Sequence, residues 1–327
     1  MTALDASRGA VSPRSNGRLA PFIAAVAALL MGASATAQIL PGAQRVELEV
    51  AGEKGPRTFV AFGFAPADPK TRRVPAVVLL HGSDGVTNAR EGAWAREIAS
   101  MGAVAFVVDS FGPRNVRSTI DDQTRVATGA MIEDAFLALE YLSSQDFVDP
   151  DRIAVMGFSK GGGAALLASD RRSLRAGQPF SAHVALYPFC STQYRAPQPG
   201  GPLLVAIGDA DDYTGVKTCA DYVERIRKAG GRADLKLYKG AAHGFDTAQG
   251  AGQIASAQNF RDCVMMIEDD GSTVLAKTGQ ALPDPQKAIE ALKRECMRTG
   301  ATIAANPAAR RQVAEDVKAF LRTHLFK

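Results

Sequence analysis

The sequence has few of the residues that build metal sites and no cluster of the basic residues that build nucleic-acid surfaces. Its 327 residues include four histidines and four cysteines, with no C-x-x-C pair and the histidines scattered, so no zinc pattern is present. The net charge is +4, and half of this excess lies in residues 1–37, which leaves no basic patch for nucleic acid. No apolar run after residue 31 is long enough to span a membrane. We therefore expect no metal site, no nucleic-acid partner and no stable membrane span.

The N-terminus has the pattern of an export signal. Arg14 and Arg18 precede an apolar run over residues 19–31, and the small residues that follow end in Ala35-Thr-Ala37. This order of charged, apolar and small residues is typical of a cleaved signal peptide. The alternative is an uncleaved anchor, but the run is shorter than the roughly 20 residues that a spanning helix needs. The sequence predicts cleavage after Ala37 and a periplasmic or secreted protein.

All four cysteines lie in the part that would be exported. An even number of cysteines in an oxidising compartment favours disulfides over free thiols. Three pairings are possible. Cys190 follows a strand-like run and Cys219 begins a helix after the next strand, whereas Cys263 and Cys296 both lie in the C-terminal region. The pairs predicted are Cys190–Cys219 and Cys263–Cys296.

Apolar strands that alternate with helices indicate an α/β fold. Residues 45–50 and 58–64 read as an antiparallel hairpin, and continuous apolar runs such as 76–80 suit strands buried on both faces. This order predicts a mostly parallel sheet with helices on both faces. A helix is predicted over residues 121–144 and a closing helix over 308–325.

One stretch does not follow this alternation. Residues 247–305 lack clear strand patterns, contain two cysteines and show helix signals near their end. We interpret them as an insertion or cap within a single domain of residues 38–327.

The pentapeptide Gly157-Phe-Ser-Lys-Gly161 follows an apolar run and precedes a helix of small residues. This is the G-x-S-x-G arrangement of strand, sharp turn and helix, which presents a serine at the apex of the turn. The glycines allow the close approach of strand and helix, and the helix N-terminus favours developing negative charge. Ser159 is therefore the candidate nucleophile.

A serine hydroxyl needs a general base, and the base needs a carboxylate to hold its tautomer. His243 lies in a glycine-rich loop after a predicted strand, and Asp211 follows another strand with the spacing Gly208-x-x-Asp. Loops at the carboxyl ends of parallel strands meet at one edge of the sheet. The predicted triad is Ser159, His243 and Asp211, with Asp212 as the rival acid and Asp209 as a turn residue.

Stabilisation of a tetrahedral intermediate needs two backbone N–H donors. Lys160, directly after the nucleophile, is predicted to supply one, and Ser83 the other. The Lys160 side chain is predicted to be a solvated charge at the mouth of the site. Arg114 is a possible ligand for a substrate carboxylate, with a surface or packing role as the alternative.

The remaining histidines have structural interpretations. His81 ends a strand immediately before the Ser83 loop, and His183 lies within an apolar strand. We expect His81 to shape the loop and His183 to be buried in the core.

These motifs together resemble the dienelactone hydrolase family of α/β-hydrolases, in an exported branch with a serine nucleophile. The shared features are Gly82 after an apolar strand, Gly157-Phe-Ser-Lys-Gly161, Gly208-Asp-Ala-Asp211 and Gly240-Ala-Ala-His243. The resemblance implies an α/β-hydrolase fold, hydrolysis of a small-molecule ester or lactone through Ser159, Asp211 and His243, and no metal or organic cofactor.

The chain departs from that family at two positions. Ser159 stands where the family has a cysteine, and Gly82 stands where it has a glutamate. Two alternatives to an esterase remain open at this point. One is a peptidase or amidase on the same triad, and the other is a non-catalytic binding protein that retains the fold.

Overall fold

The computed structural model describes residues 40–51, 56–66, 73–174, 179–248, 250 and 252–326. Their architecture is built on one large sheet of eight strands. Those strands are β1 (Gln44–Val50), β2 (Arg57–Phe64), β3 (Val74–Leu80), β4 (Val104–Asp109), β5 (Val148–Phe158), β6 (Ala182–Leu186), β8 (Leu203–Gly208) and β9 (Ala233–Tyr238). A ninth, short strand, β7 (Thr192–Tyr194), belongs to a different sheet.

The spatial order of the large sheet is β1-β2-β4-β3-β5-β6-β8-β9. β1 and β2 form the predicted antiparallel hairpin, and β2 is antiparallel to β4. Every further pairing, from β4 to β9, is parallel. The prediction of a mostly parallel α/β sheet is confirmed.

Burial on both faces explains why the central strands read as continuous apolar runs. All seven residues of β3 are buried. Val77 and Leu79 belong to one core cluster and Val78 and Leu80 to the other, because successive side chains point to opposite faces. The two clusters form the two layers between the sheet and its helices.

Helices cover both faces of the sheet. The helices are α1 (Ala93–Ser100), α2 (Thr128–Ser143), α3 (Lys160–Leu167), α4 (Val216–Lys228), α5 (Pro285–Glu295) and α6 (Pro307–Leu325). The first core cluster includes residues of α1 and α6, and the second includes residues of α2. Of the two predicted helices, α6 lies within one residue of its predicted bounds.

The prediction of one helix over residues 121–144 is wrong at its start. Asp122 caps a single 3₁₀ turn at Gln123–Arg125, and Val126 is extended before α2 begins at Thr128. The Gln123 N–H donates to the side chain of Gln258, far along the chain, at 2.9 Å. This tertiary contact holds the turn apart from α2, although the local spacing of apolar residues favours a continuous helix.

Residues 252–303, here named the cap segment, contain more strand than the sequence predicts. β10 (Gly252–Asn259) pairs with β13 (Arg298–Ile303), and β11 (Met265–Ile267) pairs with β12 (Thr273–Leu275). β11 and β12 have three residues each, too few for a period of two to be visible, and the register of β10 shifts between Ile254 and Gln258. Helix α5 lies between β12 and β13 in the chain.

Two disulfides join the cysteines in the same pairs as those named from the sequence. Cys190–Cys219 links the loop after β6 to α4, and its Cα atoms are 5.1 Å apart. Cys263–Cys296 lies within the cap segment, with Cα atoms 5.3 Å apart. The cap segment has a small core of its own that includes Phe260, Cys263 and Leu292.

The predicted signal peptide lies outside the described residues. Within the part of the chain that the structure does describe, none of the helices combines the length and apolar character needed to cross a membrane.

Candidate active site

Ser159 occupies the turn between β5 and α3 in a strained conformation. Its φ is 52° and its ψ is −112°, a region that residues with side chains rarely adopt. Three hydrogen bonds hold it there: its N–H donates to the Leu186 carbonyl, and its carbonyl accepts from the N–H groups of Gly163 and Phe189. The turn presents the side chain at the carboxyl edge of the sheet.

The two glycines of the pentapeptide are required by close backbone packing. A Cβ at Gly157 would lie 2.0 Å from the Gly161 carbonyl oxygen. A Cβ at Gly161 would lie 2.3 Å from the carbonyl oxygen of Leu80. No side chain can be accommodated at such distances without moving the backbone, so the sharp turn depends on both residues.

A chain of hydrogen bonds connects the three residues predicted to form the triad. The Oγ of Ser159 lies 2.9 Å from Nε2 of His243, and Nδ1 of His243 lies 2.9 Å from Oδ2 of Asp211. Because a carboxylate only accepts hydrogen bonds, Nδ1 of His243 carries the proton and Nε2 is left to accept from the serine. All three residues are buried.

Asp211 is fixed by donors besides the histidine. Its Oδ1 accepts from the N–H groups of Tyr213 and Thr214, and its Oδ2 accepts from the Thr214 hydroxyl. Burial raises the pKa of Asp211, but the interaction with His243 and the backbone donors outweigh it and hold the pKa below its ordinary value. The carboxyl is therefore ionised at neutral pH.

The neighbouring acids have other contacts. Asp209 accepts from the Gly240 N–H at 2.6 Å and so shapes the loop that leads to His243. Asp212 turns to the cap segment, where its two oxygens accept from the N–H and the hydroxyl of Thr302. Only Asp211 of the three contacts His243 by hydrogen bond.

His243 is held between two tyrosine rings. Tyr187 and Tyr213 meet the imidazole edge-on, with ring centroids 4.8 and 4.9 Å away. The Tyr187 hydroxyl donates to Asp246 at 2.7 Å, and the Trp94 indole N–H donates to the other oxygen of Asp246 at the same distance. No sequence pattern indicates these buried contacts, because the residues that make them are far apart in the chain.

The two predicted oxyanion donors both line the cavity beside Ser159. Lys160 is the first residue of α3, so its N–H has no helical carbonyl to bond. The loop of Ser83 is fixed through its carbonyl, which accepts from the Thr119 N–H and the Ser118 hydroxyl. Ser83 and Lys160 thus line the same cavity as Ser159.

His81 and His183 have the structural settings expected for them. Nε2 of His81 accepts from the Ser110 N–H, so Nδ1 carries the proton and donates to the Gly82 carbonyl at 2.8 Å. This contact helps to shape the loop before Ser83. His183 is buried in β6, and burial lowers its pKa to about 4.

An ion pair occupies the space beside Gly82. Arg90 contacts both oxygens of Asp84 and also Glu91. A Cβ at Gly82 would lie 2.9 Å from Asp84 and 3.2 Å from Arg90. A side chain the size of glutamate at this position would have to displace the pair, which gives a physical reason for glycine in this chain.

The Lys160 side chain is not the solvated charge predicted from the sequence. The residue is only 5% exposed, and its ammonium group donates to the backbone carbonyl and the side-chain oxygen of Gln123. Burial lowers the pKa of Lys160 to about 8. Gln123 also contacts Ser83, Tyr213 and Gln258, so it connects the lysine to the loop of Ser83 and to the cap segment.

The prediction that Arg114 is a substrate ligand is not supported by its position. Arg114 donates to both oxygens of the buried Asp134 and to the Ser110 carbonyl. Arg57 pairs with the same carboxylate. Arg114 is not among the residues that line the cavity, so the alternative of a packing role fits the structure.

A cavity of about 190 Å³ opens beside Ser159. Its walls come from four parts of the chain. The loops that follow strands of the large sheet supply Ser83, Ser159, Lys160, Phe189, Tyr213 and Thr214, β7 supplies Thr192, the segment before α2 and its first turn supply Gln123, Thr124, Ala127 and Thr128, and the cap segment supplies Gln258, Phe260, Met265, Ala288, Ile289 and Leu292. The segment interpreted from the sequence as a cap thus forms one wall of the site.

The fold and the strand-turn-helix geometry define an α/β-hydrolase. Among solved structures, the chain resembles an esterase, Est2, from the Planctomycetes species Thermogutta terrifontis. The TM-score is 0.52 at 22% identity, over 64% of this chain and 85% of the esterase. At this level of identity the likeness supports the fold.

A match to a family model is more specific than the fold. The dienelactone hydrolase family model matches residues 60–266, and the chain belongs to that family. It is a hydrolase of carboxylic esters or lactones.

Two relatives are similar in sequence. A protein of Bradyrhizobium sp. described as a probable 2-oxo-3-(5-oxofuran-2-ylidene)propanoate lactonase is 26% identical over 54% of this chain and 75% of its own length. The uncharacterized protein YcjY of Escherichia coli is 30% identical over 33% of this chain and 36% of its own length.

Proposed function

We propose that the protein cleaves a carboxylic ester or lactone through a Ser159–His243–Asp211 triad and an acyl-enzyme. The observation that carries the proposal is the continuous hydrogen-bond chain from the serine hydroxyl to the buried carboxylate. The family membership and the lactonase relative support a cyclic or open ester as the substrate. The strained serine at a helix N-terminus supports the assignment of the nucleophile.

The geometry suits each step of acyl transfer. Nε2 of His243 takes the hydroxyl proton as Ser159 attacks the substrate carbonyl, and Asp211 stabilises the imidazolium. The N–H groups of Lys160 and Ser83 donate to the oxyanion, and His243 then returns the proton to the leaving alcohol. Water activated by His243 attacks the acyl-enzyme and releases the acid.

A fluorophosphonate probe tests the nucleophile. We expect one equivalent of probe on the wild-type protein and none on Ser159→Ala, with ester turnover reduced roughly a millionfold in the variant. Ser100→Ala, which removes an exposed hydroxyl on α1, serves as the control and keeps full labelling. Labelling that survives Ser159→Ala would exclude this nucleophile, and no labelling of the wild type would favour a binding protein.

A matched panel of p-nitrophenyl esters and p-nitroanilides then separates an esterase from an amidase. We expect turnover of the esters. Faster turnover of the anilides would overturn the ester assignment and leave the nucleophile intact.

We also propose that the protein is exported and that its signal is cleaved after Ala37. The two disulfides support this location, since they persist in oxidising compartments. N-terminal sequencing of protein recovered from the periplasm or medium should start at Gln38. An intact N-terminus on membrane-bound protein would instead indicate the anchor alternative.

A further inference from the structure

We infer that helix α5 is the specificity-determining wall of the site and that it selects an ester with an uncharged apolar group. This rests on the proposed function, because it concerns the substrate of the same nucleophile. Ala288, Ile289 and Leu292 of α5 line the cavity. Leu292 follows Ile289 by three residues and Ala288 by four, so it lies next to both on the helix surface.

The wall around α5 is apolar. Phe260 and Met265 of the cap segment and Phe189 of the loop after β6 complete it. Leu292 and Phe260 also belong to the small core that includes Cys263. The disulfide Cys263–Cys296 joins the loop after β10 to the end of α5, so the wall is covalently tied to the rest of the cap segment.

Helix α5 lies outside the part of the chain that the family model matches. The match ends at residue 266, and α5 begins at Pro285. Ala288, Ile289 and Leu292 therefore lie beyond the family match, whereas Phe189, Phe260 and Met265 lie within it.

The chemistry of the lining favours an uncharged group at this wall. Lys160 is the one charged side chain among the described lining residues, and two of its three donors are bonded to Gln123. A carboxylate placed against Ile289 and Leu292 would lose its hydration without a partner there.

The volume sets the size of the group. An apolar cavity of about 150 Å³ holds a benzene molecule, and this cavity measures about 190 Å³. The geometry points to a group of about one aromatic ring or a chain of about six carbons.

Two substrate series test the inference. Methyl esters of acetic, butanoic and hexanoic acid vary the acyl group, and acetates of methanol, butanol and benzyl alcohol vary the alcohol. In at least one series we expect kcat/KM to rise tenfold or more with apolar size, and monomethyl succinate to be at least tenfold poorer than methyl butanoate. Flat profiles in both series, or a preference for the succinate, overturn the inference.

Variants of Ile289 test whether the preference for apolar esters depends on α5. Ile289→Asn should lower kcat/KM for the best apolar ester about tenfold more than it lowers kcat/KM for methyl acetate. Lys293→Asn introduces the same residue at an exposed position of α5 and should change neither. Ile289→Ala should shift the preference to a longer chain; an unchanged profile in both Ile289 variants would overturn the role of α5.

The readouts separate this inference from the proposed function. Complete fluorophosphonate labelling of every variant shows that the nucleophile is intact. A labelled enzyme that hydrolyses esters without a preference refutes the inference alone, whereas an unlabelled wild type refutes the proposed function.

Discussion

The large sheet and the cap segment contribute to the same site in different ways. The sheet buries both faces, and three of its strand ends deliver Ser159, Asp211 and His243 to one edge. The cap segment has short strands, a small core and an internal disulfide. The strand ends of the large sheet thus hold the three residues of the proposed triad, while a smaller unit with its own disulfide supplies one wall of the cavity.

The largest expected effect comes from breaking the sheet's backbone geometry. Gly161→Ala would place a Cβ 2.3 Å from the Leu80 carbonyl oxygen, so strand β3 or helix α3 must move. We expect a loss of about 4 kcal/mol or more in unfolding free energy and loss of turnover. Urea unfolding followed by circular dichroism measures the first, and ester hydrolysis the second.

Gly129→Ala is the matched control for this prediction. It makes the same substitution in the first turn of α2, where a Cβ would meet nothing within 4 Å. It should leave stability unchanged or raise it by up to about 1 kcal/mol. If the two variants unfold alike, close packing is not the reason for glycine at position 161.

The two disulfides offer a direct comparison of the two regions. They close loops of similar separation, 29 and 33 residues, so chain entropy alone gives each about 4 kcal/mol. Cys190 and Cys219 belong to the first core cluster beside the large sheet, whereas Cys263 belongs to the core of the cap segment. Replacing the first pair by alanine should therefore lower global stability, and replacing the second should open the cap segment locally.

Hydrogen exchange followed by mass spectrometry distinguishes these outcomes. Loss of Cys263–Cys296 should speed exchange in residues 260–303 and leave β3, β5 and β8 protected. Equal loss of protection throughout the chain would mean that the cap segment and the sheet unfold as one cooperative unit.

The sequence was informative about those strands and site residues whose positions follow from local pattern and backbone chemistry. Apolar runs marked the parallel strands, and the loops after them marked Ser159, Asp211 and His243, because strand ends meet at one edge. The G-x-S-x-G pattern likewise identified the two glycines of the pentapeptide, although Gly161 packs against Leu80, which is distant in the sequence.

The sequence was uninformative about side chains whose burial and contacts depend on residues far away in the chain. The burial of Lys160 depends on Gln123, 37 positions away, and the pairing of Arg114 with Asp134 removed it from the site. The support of His243 by Tyr187, Asp246 and Trp94 likewise joins separate loops. No periodicity encodes such contacts, and β11 and β12 are too short to have shown one.

The smallest expected effect lies at the junction between the two regions. Asp212 receives the N–H and hydroxyl of Thr302 on β13 at 2.9 and 2.7 Å, next to the acid that contacts His243. Asp212→Asn keeps an acceptor for the N–H, so we expect a loss of about 1 kcal/mol in stability, confined to the cap segment.

Asp211→Asn should, by contrast, reduce kcat about 10⁴-fold because the histidine loses its charged partner. Steady-state kinetics on a small ester separates the two, since Asp212 makes no hydrogen bond to His243 and its replacement should leave kcat nearly unchanged. If Asp212→Asn alone abolished turnover, the junction residue would be the catalytic acid, and the division of labour between the sheet and the cap segment would fail at this point.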